Sequence, residues 1–90
     1  MARGMTTWAL ELSTALKDNG ESWADVESNT MTEEEMSKEF DPGYGGVEGC
    51  PFTVWTVRSI YFPCTYDGSE WVGCVSRHPD GKPSNHIGGG

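Results

Sequence analysis

The sequence predicts a small α+β domain in which an N-terminal amphipathic helix and short acidic helices pack on a three-stranded antiparallel β-meander. Three observations predict this class. An apolar helical periodicity occupies the N-terminal part, β-branched and aromatic residues dominate residues 52–76, and a glycine-rich segment, residues 41–49, separates the two. Ninety residues allow one domain with a single core, to which four Trp, three Tyr and three Phe contribute large buried areas.

The first helix is predicted from four apolar residues that recur on one face: Trp8, Leu12, Ala15 and Leu16. Thr6 or Thr7 is suited to cap its beginning, because a hydroxyl group accepts a hydrogen bond from the free backbone N–H groups there. Gly20 is suited to end it, since glycine adopts the left-handed conformation of a helix C-terminus.

Two short acidic segments follow, each with a capping-box spacing. Ser22 stands three residues before Asp25, and we expect Trp23 and Val26 to form a buried stripe over a short turn or helix.

The second segment begins at Thr32, three residues before Glu35, and carries acidic residues in its first turn, where the helix dipole favours them. Met36 and Phe40 are its expected inward residues. The helix is predicted to end near Phe40, because Asp41 precedes a proline and is disfavoured in the helical conformation.

The second half predicts strands at about residues 52–57, 60–66 and 71–76. Arg58 and Ser59 are expected to form the first turn, and Asp67 and Gly68 the second.

The hairpin register decides which side chains share a face. If Tyr66 pairs with Trp71, one face carries most of the aromatic residues and is the predicted core face, against which Trp8, Leu12 and Leu16 should pack: Trp55, Val57, Ile60, Phe62, Cys64, Tyr66, Trp71, Gly73 and Val75. Cys64 and Cys74 then point to opposite faces. A rival register pairs these two cysteines directly, but it scatters the aromatic residues over both faces. The second face holds Phe52, Val54, Tyr61 and Val72, which either the glycine-rich loop or a partner would cover.

The charge is one-sided. Residues 1–48 hold three basic and eleven acidic residues, whereas residues 49–90 hold three of each, so the first half accounts for the whole net charge of −8. Direct nucleic-acid binding is not expected, because it requires clustered Lys or Arg.

The sequence has no apolar run of membrane-spanning length and no visible signal peptide, and its three cysteines do not suggest a secreted disulfide scaffold. A reducing cytoplasm is therefore the expected location.

We find no convincing catalytic, cofactor-binding or metal-binding motif. Zinc binding by Cys64, Cys74, His78 and His86 is conceivable, but the chain has no two cysteines with two residues between them, the spacing typical of zinc-binding pairs. A cysteine nucleophile with His78 has no supporting local motif. The stretch "GYGGVEG" lacks the Lys and Ser or Thr of a phosphate-binding loop. The protein is therefore predicted not to be an enzyme and to need no cofactor.

One surface feature remains as a candidate for protein interaction: the acidic residues Glu33, Glu34, Glu35, Glu39 and Asp41. They are either a solubilising helix N-terminus or an acidic patch that binds a basic surface of another protein, and such a patch would act through fast, salt-sensitive association.

The strand half resembles small uncharacterised proteins of tailed phages and their prophages in enteric bacteria. The resemblance depends on "DPGYGGVEGCPFTVWT", "YFPCTYDGSEWVGCVSRHP" and the terminal "GGG", and it covers roughly residues 5–90. It brings no catalytic residues with it. It implies expression in the cytoplasm of a bacterial host and a native glycine tail.

We therefore expect a non-enzymatic phage accessory protein that binds a host protein through its acidic surface, for example as an inhibitor or a DNA mimic. The alternatives are a homo-oligomeric module that uses the second sheet face and a small zinc- or cysteine-dependent enzyme. Residues 1–5 are predicted to be a flexible start, residues 6–77 the domain, and residues 78–90 a loop and glycine-rich tail.

Overall fold

The computed structural model describes residues 5–41, 49–66, 69–79 and 81–83. Its fold is α+β, as predicted. In chain order the elements are α1 (Trp8–Asp18), a 3₁₀ turn (Trp23–Asp25), β1 (Val26–Asn29), α2 (Glu33–Ser37), β2 (Val54–Thr56), β3 (Ser59–Tyr66) and β4 (Ser69–Ser76). The strands form an antiparallel sheet in the order β1-β2-β3-β4, so the described sheet has one strand more than the predicted meander.

Both ends of α1 follow from the local sequence. The side chain of Thr7 accepts a hydrogen bond from the backbone of Leu10 and caps the first turn. At the other end Gly20 has φ +72°, and the N–H groups of Gly20 and Glu21 donate to the carbonyls of Lys17 and Leu16. This pattern is a Schellman motif, which satisfies carbonyl groups that the helix itself leaves unpaired.

The segment after α1 differs from the prediction. Ser22 and Asp25 do form a capping box, but it opens a 3₁₀ turn that runs directly into β1. Trp23 is exposed and donates a hydrogen bond to the Ser13 hydroxyl, so it is not part of a buried stripe. Val26 does pack against the core. β1 was missed because only one of its four residues is apolar and it lies at the sheet edge.

α2 begins as predicted and ends early. Thr32 and Glu35 form its capping box, and Met36 packs against the core. The helix ends at Ser37, three residues before the expected end, and Phe40 instead pairs with Thr6 through two backbone hydrogen bonds of 2.9 Å. Phe40 is nevertheless buried, as predicted.

Both hairpins are shifted by two residues from the predicted register. Tyr66 pairs with Ser69 and Cys64 with Trp71, which leaves two residues between β3 and β4. The prediction placed the turn at Asp67 and Gly68, which lie outside the described residues, but by pairing Tyr66 with Trp71 it left Ser69 and Glu70 unpaired, although a two-residue connection is the commonest in hairpins. In the first hairpin Ile60 pairs with Trp55, whereas the predicted two-residue turn would have paired it with Val57. Because a shift of two preserves the alternation of side chains, the predicted division into two faces is correct.

The predicted choice of core face is wrong. α1 covers the face that carries Phe52, Val54 and Tyr61, and the core consists of Trp8, Leu12, Leu16, Met31, Phe40, Phe52, Val54 and Tyr61. Trp55, Phe62 and Trp71, the expected partners of α1, lie on the opposite side of the sheet and are half-buried. The covered face includes Tyr61, whose buried hydroxyl group has a hydrogen-bond partner.

The indole ring of Trp8 is the centre of the core. Its centroid lies 4.8 Å from that of Phe40 and 4.9 Å from that of Phe52, at tilted and edge-on angles that suit aromatic contacts. Its Nε1 group donates a 2.9 Å hydrogen bond to the Cys50 carbonyl. A Cβ atom on Gly49 would lie 2.6 Å from this ring, so glycine is needed where the chain crosses Trp8.

Candidate protein-binding surface

The acidic residues predicted for protein interaction lie on and just after α2. Glu33, Glu34 and Glu35 form its first turn and are exposed, as is Glu39, whereas Asp41 is half-buried. The structure thus brings four of the five predicted carboxylates to the surface. We call the set Glu33, Glu34, Glu35, Glu39 and Asp41 the acidic surface.

Glu35 has a structural role that the other two glutamates of this turn do not share. Its Oε1 atom accepts a 2.9 Å hydrogen bond from the backbone of Thr32, whose hydroxyl group accepts one from the backbone of Glu35. This reciprocal pair holds the first turn of a five-residue helix, which has little stability of its own. Glu33 and Glu34 therefore project from a fixed turn.

Two concave regions adjoin α2. An open groove of about 600 Å³ is lined, among described residues, by Glu34, Glu35, Ser37 and Lys38. A smaller cavity of about 140 Å³ is lined by Trp8, Glu35, Lys38, Phe40, Gly49 and Cys50. Glu35 and Lys38 line both, so the open groove and the smaller cavity adjoin each other. This arrangement was not predictable, because it depends on how Phe40 and residues 49–50 pack beside α2.

A second polar cluster lies inside the core. The Tyr61 hydroxyl group, fully buried, donates a 2.6 Å hydrogen bond to Oε1 of Glu21, whose side chain is 1% exposed. The other carboxylate oxygen, Oε2, is buried and accepts no hydrogen bond of ordinary length, and the Arg58 Nε atom lies 3.7 Å from it. Sequence reasoning missed this pair, because the two residues are forty positions apart.

The environment of this cluster sets both protonation states. Burial disfavours the charged form of Glu21, but the Tyr61 hydrogen bond, the nearby Thr56 and Ser59 hydroxyl dipoles and the Arg58 charge outweigh it, so the pKa of Glu21 lies below its usual value. Burial and the Glu21 hydrogen bond raise the pKa of Tyr61. Tyr61 therefore remains a hydrogen-bond donor to a charged carboxylate. The cluster fixes the end of α1 to β3.

The cysteines do not form a common site. Cys64 and Cys74 are free and lie on opposite faces of the sheet, as predicted, and Cys64 is buried beside Trp71. Burial raises the pKa of the Cys64 thiol, and burial with the Glu35 charge raises that of Cys50, so both favour the unreactive thiol form. Among the described residues no three metal-ligating side chains cluster, and His86 lies outside them.

The side of the sheet opposite α1 is a feature that the prediction assigned to the core. We call it the open sheet face: Ser28, Trp55, Ile60, Phe62, Cys64, Tyr66, Ser69, Trp71, Gly73 and Val75. The second face, which the alternative homo-oligomer was expected to use, is instead covered by α1. The alternation of residues revealed both faces, but not which of them the helix would cover.

No protein-family model matches the chain, and neither a curated protein nor a solved structure matches it. Within the part of the chain that the structure describes, every helix is too short or too polar to cross a bilayer.

Proposed function

We propose that this chain is a non-enzymatic accessory protein that binds another protein through its acidic surface. The observation that carries the proposal is the placement of Glu33 and Glu34 on a turn that the capping box holds, beside the groove next to α2. A partner would meet glutamates that project from an already ordered turn, which lowers the entropy cost of binding.

The charge distribution supports a basic partner. The first half of the chain carries an excess of eight acidic residues, and the acidic surface contributes five of the eleven acids there. Such a field accelerates encounter with a positively charged surface and weakens as salt increases. The partner would place Lys or Arg side chains along the groove that Glu34 and Glu35 line.

The resemblance to tailed-phage and prophage proteins gives this proposal its setting. In that setting the protein acts in the cytoplasm of an enteric bacterium, and the partner is a host protein. A host protein whose basic groove binds nucleic acid is the natural target, because a row of carboxylates can occupy the positions of phosphate groups. Inhibition by DNA mimicry is one form that this function would take.

The experiment is affinity capture from a lysate of an enteric bacterium, at low and at high salt, with wild-type protein and the double variant Glu33→Gln/Glu34→Gln. Glu35 is left intact because its carboxylate caps α2. We expect a partner that the wild type retains at low salt, and that both high salt and the double variant release.

The matched control is Asp18→Asn/Glu27→Gln, which removes the same charge from exposed sites outside the acidic surface, and circular dichroism checks that loss of the Glu27–Arg77 ion pair leaves the fold intact. Asp18 lies ten residues along α1 from Trp8, or about 15 Å from the cavity end of the helix. This control should retain the partner. Capture that is insensitive to salt, or lost equally in both double variants, would refute binding through the acidic surface.

A further inference from the structure

The open sheet face points to a second surface, independent of the acidic one. We propose that two copies of this chain associate through their open sheet faces, so that the two sheets pack face to face. The acidic surface then remains available on the outside of each copy, and each copy supplies the cover for the other's half-buried aromatic residues.

The composition of the face suits burial. Six of its ten members are large apolar or aromatic residues, and none of the ten is charged: Trp55, Ile60, Phe62, Tyr66, Trp71 and Val75, with Ser28, Cys64, Ser69 and Gly73 between them. Aromatic residues are enriched in protein interfaces, whereas charged residues are depleted at interface centres. Tyr66 is 51% exposed, so part of this apolar surface is in contact with water in the isolated chain.

The middle of the face is closed by two side chains that lie across Gly73. A Cβ atom on Gly73 would lie 2.5 Å from Cys64 Sγ and 2.7 Å from Phe62 Cε1. These two side chains therefore lie across Gly73 and fill the space that a larger residue would occupy. A surface of this kind can approach another sheet at the spacing of about 10 Å that is usual for packed sheets.

The size of the face limits the proposed dimer to a weak one. The four strands contain 4, 3, 8 and 8 residues. At a rise of about 3.3 Å per residue and a strand spacing of about 4.8 Å, they present a projected area of about 360 Å² per copy. Two copies cover about 700 Å² before side-chain relief and the rim are counted, which is below the about 1,000 Å² of accessible area expected of a specific, stable interface and is consistent only with a weak one. We therefore expect a reversible dimer.

Charge favours a second copy over a basic or acidic partner on this face. α2 contacts α1, and its Met36 packs on the core, so the acidic surface belongs to the covered side of the sheet. In the dimer the two acidic surfaces face away from each other, with both sheets between them. Their mutual repulsion is largely screened at physiological salt, where the Debye length is about 8 Å. Salt should therefore leave the dimer unchanged or strengthen it.

Sedimentation equilibrium of the full chain over about a hundredfold range of concentration tests the proposal. The wild type should change reversibly from the mass of one 9.9 kDa chain toward twice that mass.

Two variants place a charge on the face at exposed positions: Ser28→Lys and Tyr66→Lys. Each should raise the dissociation constant at least about tenfold. The control Leu10→Lys makes the same charge change at an apolar position on α1 that is 62% exposed, and it should behave as the wild type.

Three results would overturn the proposal. The first is a wild type that remains monomeric at every concentration, which would leave the face to a different protein or to no partner. The second is a dimer that neither lysine variant weakens, and the third is one that Leu10→Lys weakens equally. Circular dichroism of both face variants identifies any that fails to fold, and their positions in different strands leave the other as the test.

Discussion

The hydroxyl group of Tyr61 explains why a tyrosine can be fully buried in this small core. It donates to a carboxylate that Arg58 also approaches, so the polar atom keeps a partner in the absence of water. Removing one partner of such a buried pair usually costs about 1–3 kcal/mol. We expect Tyr61→Phe to lower the free energy of unfolding by this amount in urea titration. Tyr66→Phe, at an exposed tyrosine of the same strand, should have almost no effect. Equal effects of the two variants would show that the buried hydrogen bond adds nothing.

The same cluster predicts an acid-sensitive contribution to stability. The pKa of Glu21 in the folded chain lies below its ordinary value of 4.5, so the folded state favours the ionised form. This stabilisation is fully present above pH 4.5 and is lost as the pH falls through the lower, folded-state pKa. Urea titrations at neutral and acidic pH should show a smaller loss of stability in Glu21→Gln than in the wild type. A variant that loses as much as the wild type would contradict the assignment.

Tyr61 also shows where residue-level prediction from the sequence ends. Counting apolar side chains placed the core on the face with Trp55, Phe62 and Trp71, because that face carries more of the aromatic and large apolar residues. The structure buries Tyr61 and Thr56 instead, since each finds a hydrogen-bond partner nearby in the fold. The partner of Tyr61 is Glu21, and no local spacing connects these two residues.

The helix α1 is the element that the sequence specifies most completely, because its cap, its stripe and its end all depend on neighbouring residues. Leu12 is fully buried on that stripe, whereas Leu10 is exposed on the other side of the same helix. We expect Leu12→Ala to destabilise the protein by about 2–4 kcal/mol through lost burial and a residual cavity. Leu10→Ala should be close to neutral in the same denaturant titration. A cost near zero for Leu12→Ala would show that α1 is not packed on the sheet.

Residues 49–50 cross the indole ring of Trp8 in close contact. A methyl group on Gly49 would lie 2.6–2.8 Å from three atoms of the buried indole ring. Gly49→Ala should therefore destabilise the protein by about 1–3 kcal/mol, the usual cost of overpacking a core. Gly81→Ala adds the same methyl group where no atom lies within 4 Å, so any cost there reports the backbone strain at its φ of +73° and not crowding. A neutral Gly49→Ala would contradict the contact with Trp8.

The strands were predictable in type and in the division of their faces, but not in register or number. Alternation is a property of the strand itself, so the assignment of residues to two faces survived a shift of two residues in both hairpins. β1 was not predictable from alternation, because Val26 is its only apolar residue and a bulge interrupts its pairing. The acidic residues could likewise be named from the sequence, whereas the groove beside them depends on tertiary packing.

At the scale of the whole molecule, the two proposed interactions should respond to salt in opposite ways. Binding of a basic partner to the acidic surface weakens as salt screens the carboxylates, whereas association through the uncharged open sheet face does not. Measuring partner affinity and self-association of the same preparation at low and high salt separates them. If both weaken with salt in parallel, a single charged interface is responsible for both, and the assignment of two surfaces is wrong.

Both surfaces depend on which side of the sheet α1 covers. The most direct test is therefore a set of nuclear Overhauser contacts from the Trp8 indole protons in a ¹³C-labelled sample. With α1 on the face that carries Phe52, we expect contacts to the rings of Phe40 and Phe52, whose centroids lie 4.8 and 4.9 Å from that of Trp8. Contacts from Trp8 to Phe62 and Trp71 in their place would put α1 on the opposite face of the sheet and would contradict the assignment of both surfaces.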